Sequence, residues 1–244
     1  MPETSRRQFH DRLEDLQGKL IEMAGEAEEL LGRSTTALLT RDQALAAKIR
    51  EADERIDRLE VIIDEEALEL LALQQPLARD LRQIAATLKI ANDLERVGDH
   101  AVKISRATLR LLQHPPIADV PQLEEMVGSV RRMIADALRA YTTRDSALAR
   151  GIPIRDEQVD ELRDTLHRIL VGRMLEDPSR VTPGLQLILI SQSLERAADL
   201  ASNIGEETVF LVEGTVIRHE SGVVQQAPET TSSGATTGSG AAKS

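Results

Sequence analysis

Apolar residues recur at helical spacing along most of the chain. Ile90, Leu94, Val97, Ala101 and Ile104 share one stripe at 100° per residue, and Ile190, Leu194, Ala197, Ala201 and Ile204 form the same stripe again. This periodicity predicts helices over about residues 5–39, 42–73 and 77–113. His114-Pro115-Pro116 then stops the chain, because proline lacks a donor and restricts the residue before it. Beyond it the pattern predicts helices over about 121–142, 155–175 and 183–213, with a ragged start to the middle one at Gly151-Ile152-Pro153. Asp42, Asp145 and Thr182 are the expected N-caps, and Pro121 and Pro183 suit first helical turns. The expected fold is all-α: two tandem three-helix bundles, residues 1–114 and 115–220, each running up, down and up with short connections. From about Ser221 the chain is Ser, Thr, Gly, Ala and Gln with almost no large apolar residue, so 221–244 reads as a disordered tail.

The two halves are copies of one unit. Glu95-Arg96-Val97-Gly98-Asp99 returns as Glu195-Arg196-Ala197-Ala198-Asp199, and Thr40-Arg41-Asp42 returns as Thr143-Arg144-Asp145. The spacing shrinks by three residues between these landmarks. That places a net deletion between Asp160 and Glu195, most naturally at the turn around Pro178.

Composition supports helix and removes several chemistries. Aromatics make up 1% of the 244 residues and Cys and Trp are absent, while Leu, Ala, Glu and Arg abound. Without cysteine there is no disulfide, iron–sulfur cluster or thiolate zinc site. The formal charge of −11 argues against a nucleic-acid partner and favours cations or basic protein surfaces. No window approaches the ~20 apolar residues of a spanning helix. The charged N-terminal segment has no apolar signal-peptide core, so a cytoplasmic location is expected.

The repeat singles out a set of carboxylates. Glu95 and Asp99 lie one turn apart, roughly opposite the apolar stripe, and Glu195 and Asp199 do the same in the second copy. The preceding helix carries Asp53, Asp57, Glu60 and Asp64, of which only Asp53 and Asp57 stay acidic in the other copy, as Asp156 and Asp160; Glu60 and Asp64 correspond to Arg163 and His167. In an antiparallel hairpin turning near Pro76, Asp57 comes level with Glu95 and Asp53 with Asp99. A turn near Asp177-Pro178 does the same for Asp160 with Glu195 and Asp156 with Asp199. Four carboxylates per half therefore converge. Like charges one turn apart destabilise a helix by roughly 0.2–0.5 kcal/mol per pair, and a bound cation reverses that sign. Oxygen-only ligation suits hard or borderline ions of the Mg, Mn, Ca or Fe class. Salt bridges from Arg96 and Arg196 are the competing use of these acids, and His100 is expected on the surface.

Residues 88–101, Leu-Lys-Ile-Ala-Asn-Asp-Leu-Glu-Arg-Val-Gly-Asp-His-Ala, with their second copy and the acidic pairs of the partner helices, resemble the PhoU family over about residues 9–214. The resemblance implies a pair of three-helix bundles, commonly dimeric, and metal held by Glu/Asp-x-x-x-Asp pairs. Matched onto this chain, one metal site would use Asp53, Asp57, Glu95 and Asp99, and the other Asp156, Asp160, Glu195 and Asp199. It further implies a non-enzymatic negative regulator of phosphate uptake and the phosphate-starvation response. Such an adaptor links the cytoplasmic components of a phosphate ABC transporter to a sensor histidine kinase. The second copy departs from the motif, with Ala197-Ala198 for a branched residue and Gly, and Leu200 for His100. The site near Glu95 is therefore expected to be the stronger.

Two other readings compete. A ferritin-like carboxylate metalloprotein or oxidase would need Glu-x-x-His at the paired positions, and none occurs there. A purely structural helical scaffold would leave the acids as solvated faces and its melting point indifferent to metal.

Overall fold

The computed structural model describes residues 3–74, 78–117 and 120–217, all helix or connecting turn. In the first half, α1 (Glu3–Thr40), α2 (Gln43–Gln74) and α3 (Ala78–Leu111) follow the expected boundaries closely. In the second, α4 (Pro121–Thr143) and the final α7 (Val181–Glu213) do likewise, but the middle helix is broken into α5 (Ser146–Arg150) and α6 (Ile152–Glu176). The break falls at Gly151, and Pro153 then occupies the first turn of α6, where its missing N–H costs nothing. The ragged start foreseen here is thus a short extra helix, with α6 beginning three residues before Arg155. A single 3₁₀ turn over Pro178–Arg180 joins α6 to α7. Thr182 is not a cap, because the 3₁₀ turn runs straight into α7 and leaves it inside the helix; Asp177 caps the turn instead, accepting from the Ser179 N–H. The α2–α3 turn near Pro76 and the tail from Ser221 lie outside the described residues.

The first corner of each half is built identically. Arg41 and Arg144 both take left-handed backbone, at φ 55° and 54°, a conformation that side chains other than glycine and asparagine disfavour. Each is followed by an aspartate whose N–H reaches back 2.9 Å to the carbonyl of Ala37 or Ala140. The same aspartate accepts from the backbone three residues on: Asp42 from Leu45 and Asp145 from Leu148, both at 2.9 Å.

Both apolar stripes of α3 and α7 are fully buried, residue for residue as the periodicity requires. They do not serve separate cores. One continuous cluster runs from Phe9 through Leu94 and Leu194 to Leu211, because α3 and α7 lie against each other as well as against their own bundles. They run antiparallel, with Lys89 bonded to Glu207 at one end. Small residues bring helices close where hydrogen bonds or side chains need it. The Ser105 hydroxyl donates to the Ala46 carbonyl, and at the repeat-equivalent place a side chain on Gly205 would press to 3.0 Å from the Ala149 carbonyl. No described helix is long and apolar enough to cross a membrane.

Candidate functional site

Helix spacing puts Asp53, Asp57 and Glu60 on one edge of α2, and the hairpin brings that edge against Glu95 and Asp99 of α3. The structure gathers the four expected carboxylates, and their charges act on one another. The Glu95 carboxyl is pushed up to about 6 by burial first, then by the negative charges of Asp99, Glu60, Asp57 and Asp53. Asp53 also rises to about 6, through burial and then Asp57 and Asp99, with Arg106 opposing. The Oδ1 atom of Asp53 is buried with no hydrogen-bond donor. Gly98 makes this possible: a side chain there would meet that oxygen at 2.6 Å and Ile56 at 3.1 Å.

The second cluster is equally well assembled and differently neutralised. Asp156 is pushed up to about 7 by burial, then by Asp199 and Asp160, with a hydrogen bond to Asp199 that its protonated form favours. Arg163, from the next turn of α6, donates to Asp160 at 2.8 Å and to Glu195 at 2.9 Å. It also pairs with Asp164 at 2.9 Å. Burial raises Glu195 despite the opposing charges of Arg196 and Arg163.

Arginines beside the motif behave differently in the two copies. Arg196 pairs with Glu195 at 3.5 Å and Asp199 at 3.3 Å. Arg96 instead turns to Asp93 at 4.0 Å, and Asp99 is met by Lys103 at 3.2 Å. The competing salt-bridge use thus applies to the second copy's own arginine and not to the first's.

Two residues mattered that sequence reasoning set aside. Glu60 was discounted because its counterpart is not acidic, yet it is the fifth carboxylate of the first cluster; Arg163, that counterpart, is the tethered cation of the second. The signal was the reversal of charge between matched positions. His100 is a correction of another kind: it is half-buried in the seam between α3 and α7, with its Nδ1 buried and lacking a hydrogen bond, rather than on the surface. Burial and then the Lys103 charge lower its pKa to about 4. Its equivalent Leu200 is simply core.

Among the described residues, no three His, Asp or Glu side chains stand in a ready-made coordination shell. The donor chemistry of the first cluster nevertheless suits a hard cation: oxygen only, partly desolvated, with one oxygen lacking any donor.

The fold and site define a class: a tandem-repeat, all-helical protein whose two copies each mount a carboxylate cluster on a hairpin. The PhoU domain family matches twice, at residues 20–108 and 123–208, and the chain belongs to this family. It is 39% identical over 214 residues to a "Phosphate-specific transport system accessory protein PhoU homolog" of Pseudomonas putida, covering 87% of this chain and 83% of that one. The crystal structure of PhoU from Pseudomonas aeruginosa superposes with a TM-score of 0.82 at 36% identity, over 85% of this chain and all of that one. The phosphate transport system regulatory protein PhoU from Streptococcus pneumoniae gives 0.79 at 30% identity, over 86% and 99%.

Proposed function

We propose that this chain is a non-catalytic accessory and regulatory protein of phosphate transport. It would damp uptake and the starvation response by linking the cytoplasmic components of a phosphate ABC transporter to a sensor histidine kinase, and would work in the cytoplasm as a homodimer. The observation that supports this reading is the doubled family match, which runs through both repeats and most of the chain, with relatives named as accessory proteins of a phosphate-specific transport system. Co-purification with the transporter's cytoplasmic subunits and with the kinase's cytoplasmic region tests it. Retention of neither would sink the adaptor role, and a monomer in light scattering would sink the dimer.

The carboxylate clusters add metal to the proposal. Asp53, Asp57, Glu95 and Asp99, joined by Glu60, would hold a Mg, Mn or Fe-class ion. Asp156, Asp160, Glu195 and Asp199 would hold one more weakly, because Arg163 already supplies positive charge there. An ion would offset the burial and the mutual repulsion that together raise Glu95 and Asp53. The test is metal content of purified protein by mass spectrometry, which should fall when Asp53 and Glu95 are replaced by Ala; unchanged content would remove the assignment.

A further inference from the structure

The seam between α3 and α7 leaves a groove on either side, and the internal repeat makes the two grooves equivalent. One, of 630 Å³, is lined by Glu60, Asp64 and Asp93 with Lys89 and Arg96. The other, of 880 Å³, carries Arg163, His167 and Ser193 at the first three of those places. The facing helix reverses as well: Arg106 stands where the other copy has Glu206, and Arg110 where it has Phe210. Even the ion pair that closes the first groove, Lys89 with Glu207 at 3.0 Å, is replaced across the seam by Leu189 and Ala107. Five of the thirteen residues lining the second groove are Lys or Arg against two carboxylates, in a chain whose acids outnumber its bases 41 to 30.

These cations are not all needed by the fold. Arg106 and Arg110 sit one turn apart on the exposed side of α3, and neither has an ion-pair partner among the described residues. Arg110 lies in the last turn, where the helix dipole favours it. Arg106 eases the negative charge at Asp53, but as a like charge at i, i+4 to Arg110 it is mildly unfavourable to its own helix. Lys103 and Arg196 are half or more exposed, and their pairs with Asp99 and Asp199 are surface ion pairs, worth about 1 kcal/mol or less, that exchange readily for a stronger anion; Arg196 also meets the largely buried Glu195, at 3.5 Å. From Lys103 to Arg110 the row of cations extends about 10 Å along α3, longer than a single phosphate.

We propose that this groove binds a small anion bearing several linked phosphate groups, with Lys103, Arg106 and Arg110 donating from α3 and Arg196 from α7. Guanidinium forks meet phosphate oxygens two at a time, and a row of them rewards a ligand that offers several phosphates in series. The donors are all cations, and Lys103 and Arg196 also pair with Asp99 and Asp199 of the carboxylate clusters, so the titration is run without metal.

Calorimetric titration of the full chain with inorganic tripolyphosphate, in the presence of a chelator, tests this. Tripolyphosphate should bind, with affinity falling as salt rises. The double variant Arg106→Glu, Arg110→Gln should bind at least about tenfold more weakly. Arg106→Glu also adds an acid near Asp53, so the double variant should melt slightly lower, whereas the exposed single Arg110→Gln variant should melt like the parent and supplies a milder second reading in the same direction. Replacing the exposed Arg131, which lines a different groove beside Gly32, with Gln should change nothing. Orthophosphate, as a separate arm, should bind at least about tenfold more weakly than tripolyphosphate. Absence of tripolyphosphate binding, binding indifferent to the arginines, or orthophosphate bound as tightly would each overturn the assignment.

Discussion

The clusters around Glu95 and Glu195 share a backbone and differ in one decisive side chain. Matched helices, hairpins and caps deliver the same four carboxylates to the same place in each half, and the residue one turn farther along is Glu60 in one and Arg163 in the other. In the first, that residue deepens the repulsion at Glu95, which Lys103 at Asp99 and Arg106 near Asp53 relieve only from the edge; in the second, one guanidinium reaches three carboxylates within 2.9 Å. A repeat conserves position and leaves electrostatics free. Identical geometry thus supports a cluster that asks for a cation from solution and one that carries its own.

The most forceful way to break this contrast is to give the second cluster the first one's residue. Arg163→Glu should lower the stability of metal-free protein by roughly 2 kcal/mol, short of the full cost of breaking a buried pair because Arg163 keeps some water contact. For a chain of this size that is a fall of about 4–8 °C in Tm, readable by circular dichroism. The same variant should gain a melting response to Mn²⁺, and a variant as stable as the parent would show that Arg163 neutralises nothing.

Next in size is the response of the first cluster to metal. A saturating ion that binds only folded protein at about 100 times its Kd adds about 2.7 kcal/mol. Asp53→Ala with Glu95→Ala should abolish most of the resulting rise in Tm, whereas Asp156→Ala with Glu195→Ala should leave it largely intact. Equal losses in the two variants would erase the asymmetry.

Glu60→Arg, the reciprocal exchange, should raise the metal-free Tm by a few degrees, on the order of 1 kcal/mol, and blunt the metal response. A destabilised variant would mean that Glu60 does not share the field of Glu95.

The smallest effect expected is on pH. Asp53 and Glu95 in the folded chain have pKa values near 6, and Asp156 near 7, above those of unfolded carboxyls near 4. Between those limits the folded state binds more protons than the unfolded one, so stability falls as pH rises. The contribution is complete below about pH 4 and gone above about pH 7. Metal-free protein should therefore lose a few degrees of Tm from these groups between pH 5 and 7.5, more in the parent than in Asp53→Asn with Glu95→Gln and Asp156→Asn. An identical pH profile in that triple variant would rule out these carboxyls as the source.

Much of this was legible because the chain repeats itself. Aligning the copies identified Asp53, Asp57, Glu95 and Asp99 with their equivalents, and the equal rise of two helices fixed which face which. The same alignment hid Glu60 and Arg163, since a filter for shared residues discards the ones that diverged. The short α5 escaped because five residues are too few to show a helical period, and the capping role of Thr182 failed because a 3₁₀ turn supplies the start of α7. The burial of His100 depends on how α3 meets α7, a contact between distant segments that no local pattern encodes.

The α3–α7 seam has one more implication. Two antiparallel helices from equivalent repeats, meeting face to face, form the kind of isologous contact that pairs identical subunits in a symmetric dimer. There, any substitution appears on both sides at once, so an acidic groove could never face a basic twin. Joining the subunits in one polypeptide lifts that constraint, and the reversal of Glu60 to Arg163 and of Glu206 to Arg106 is open only to a dimer that has become a single chain.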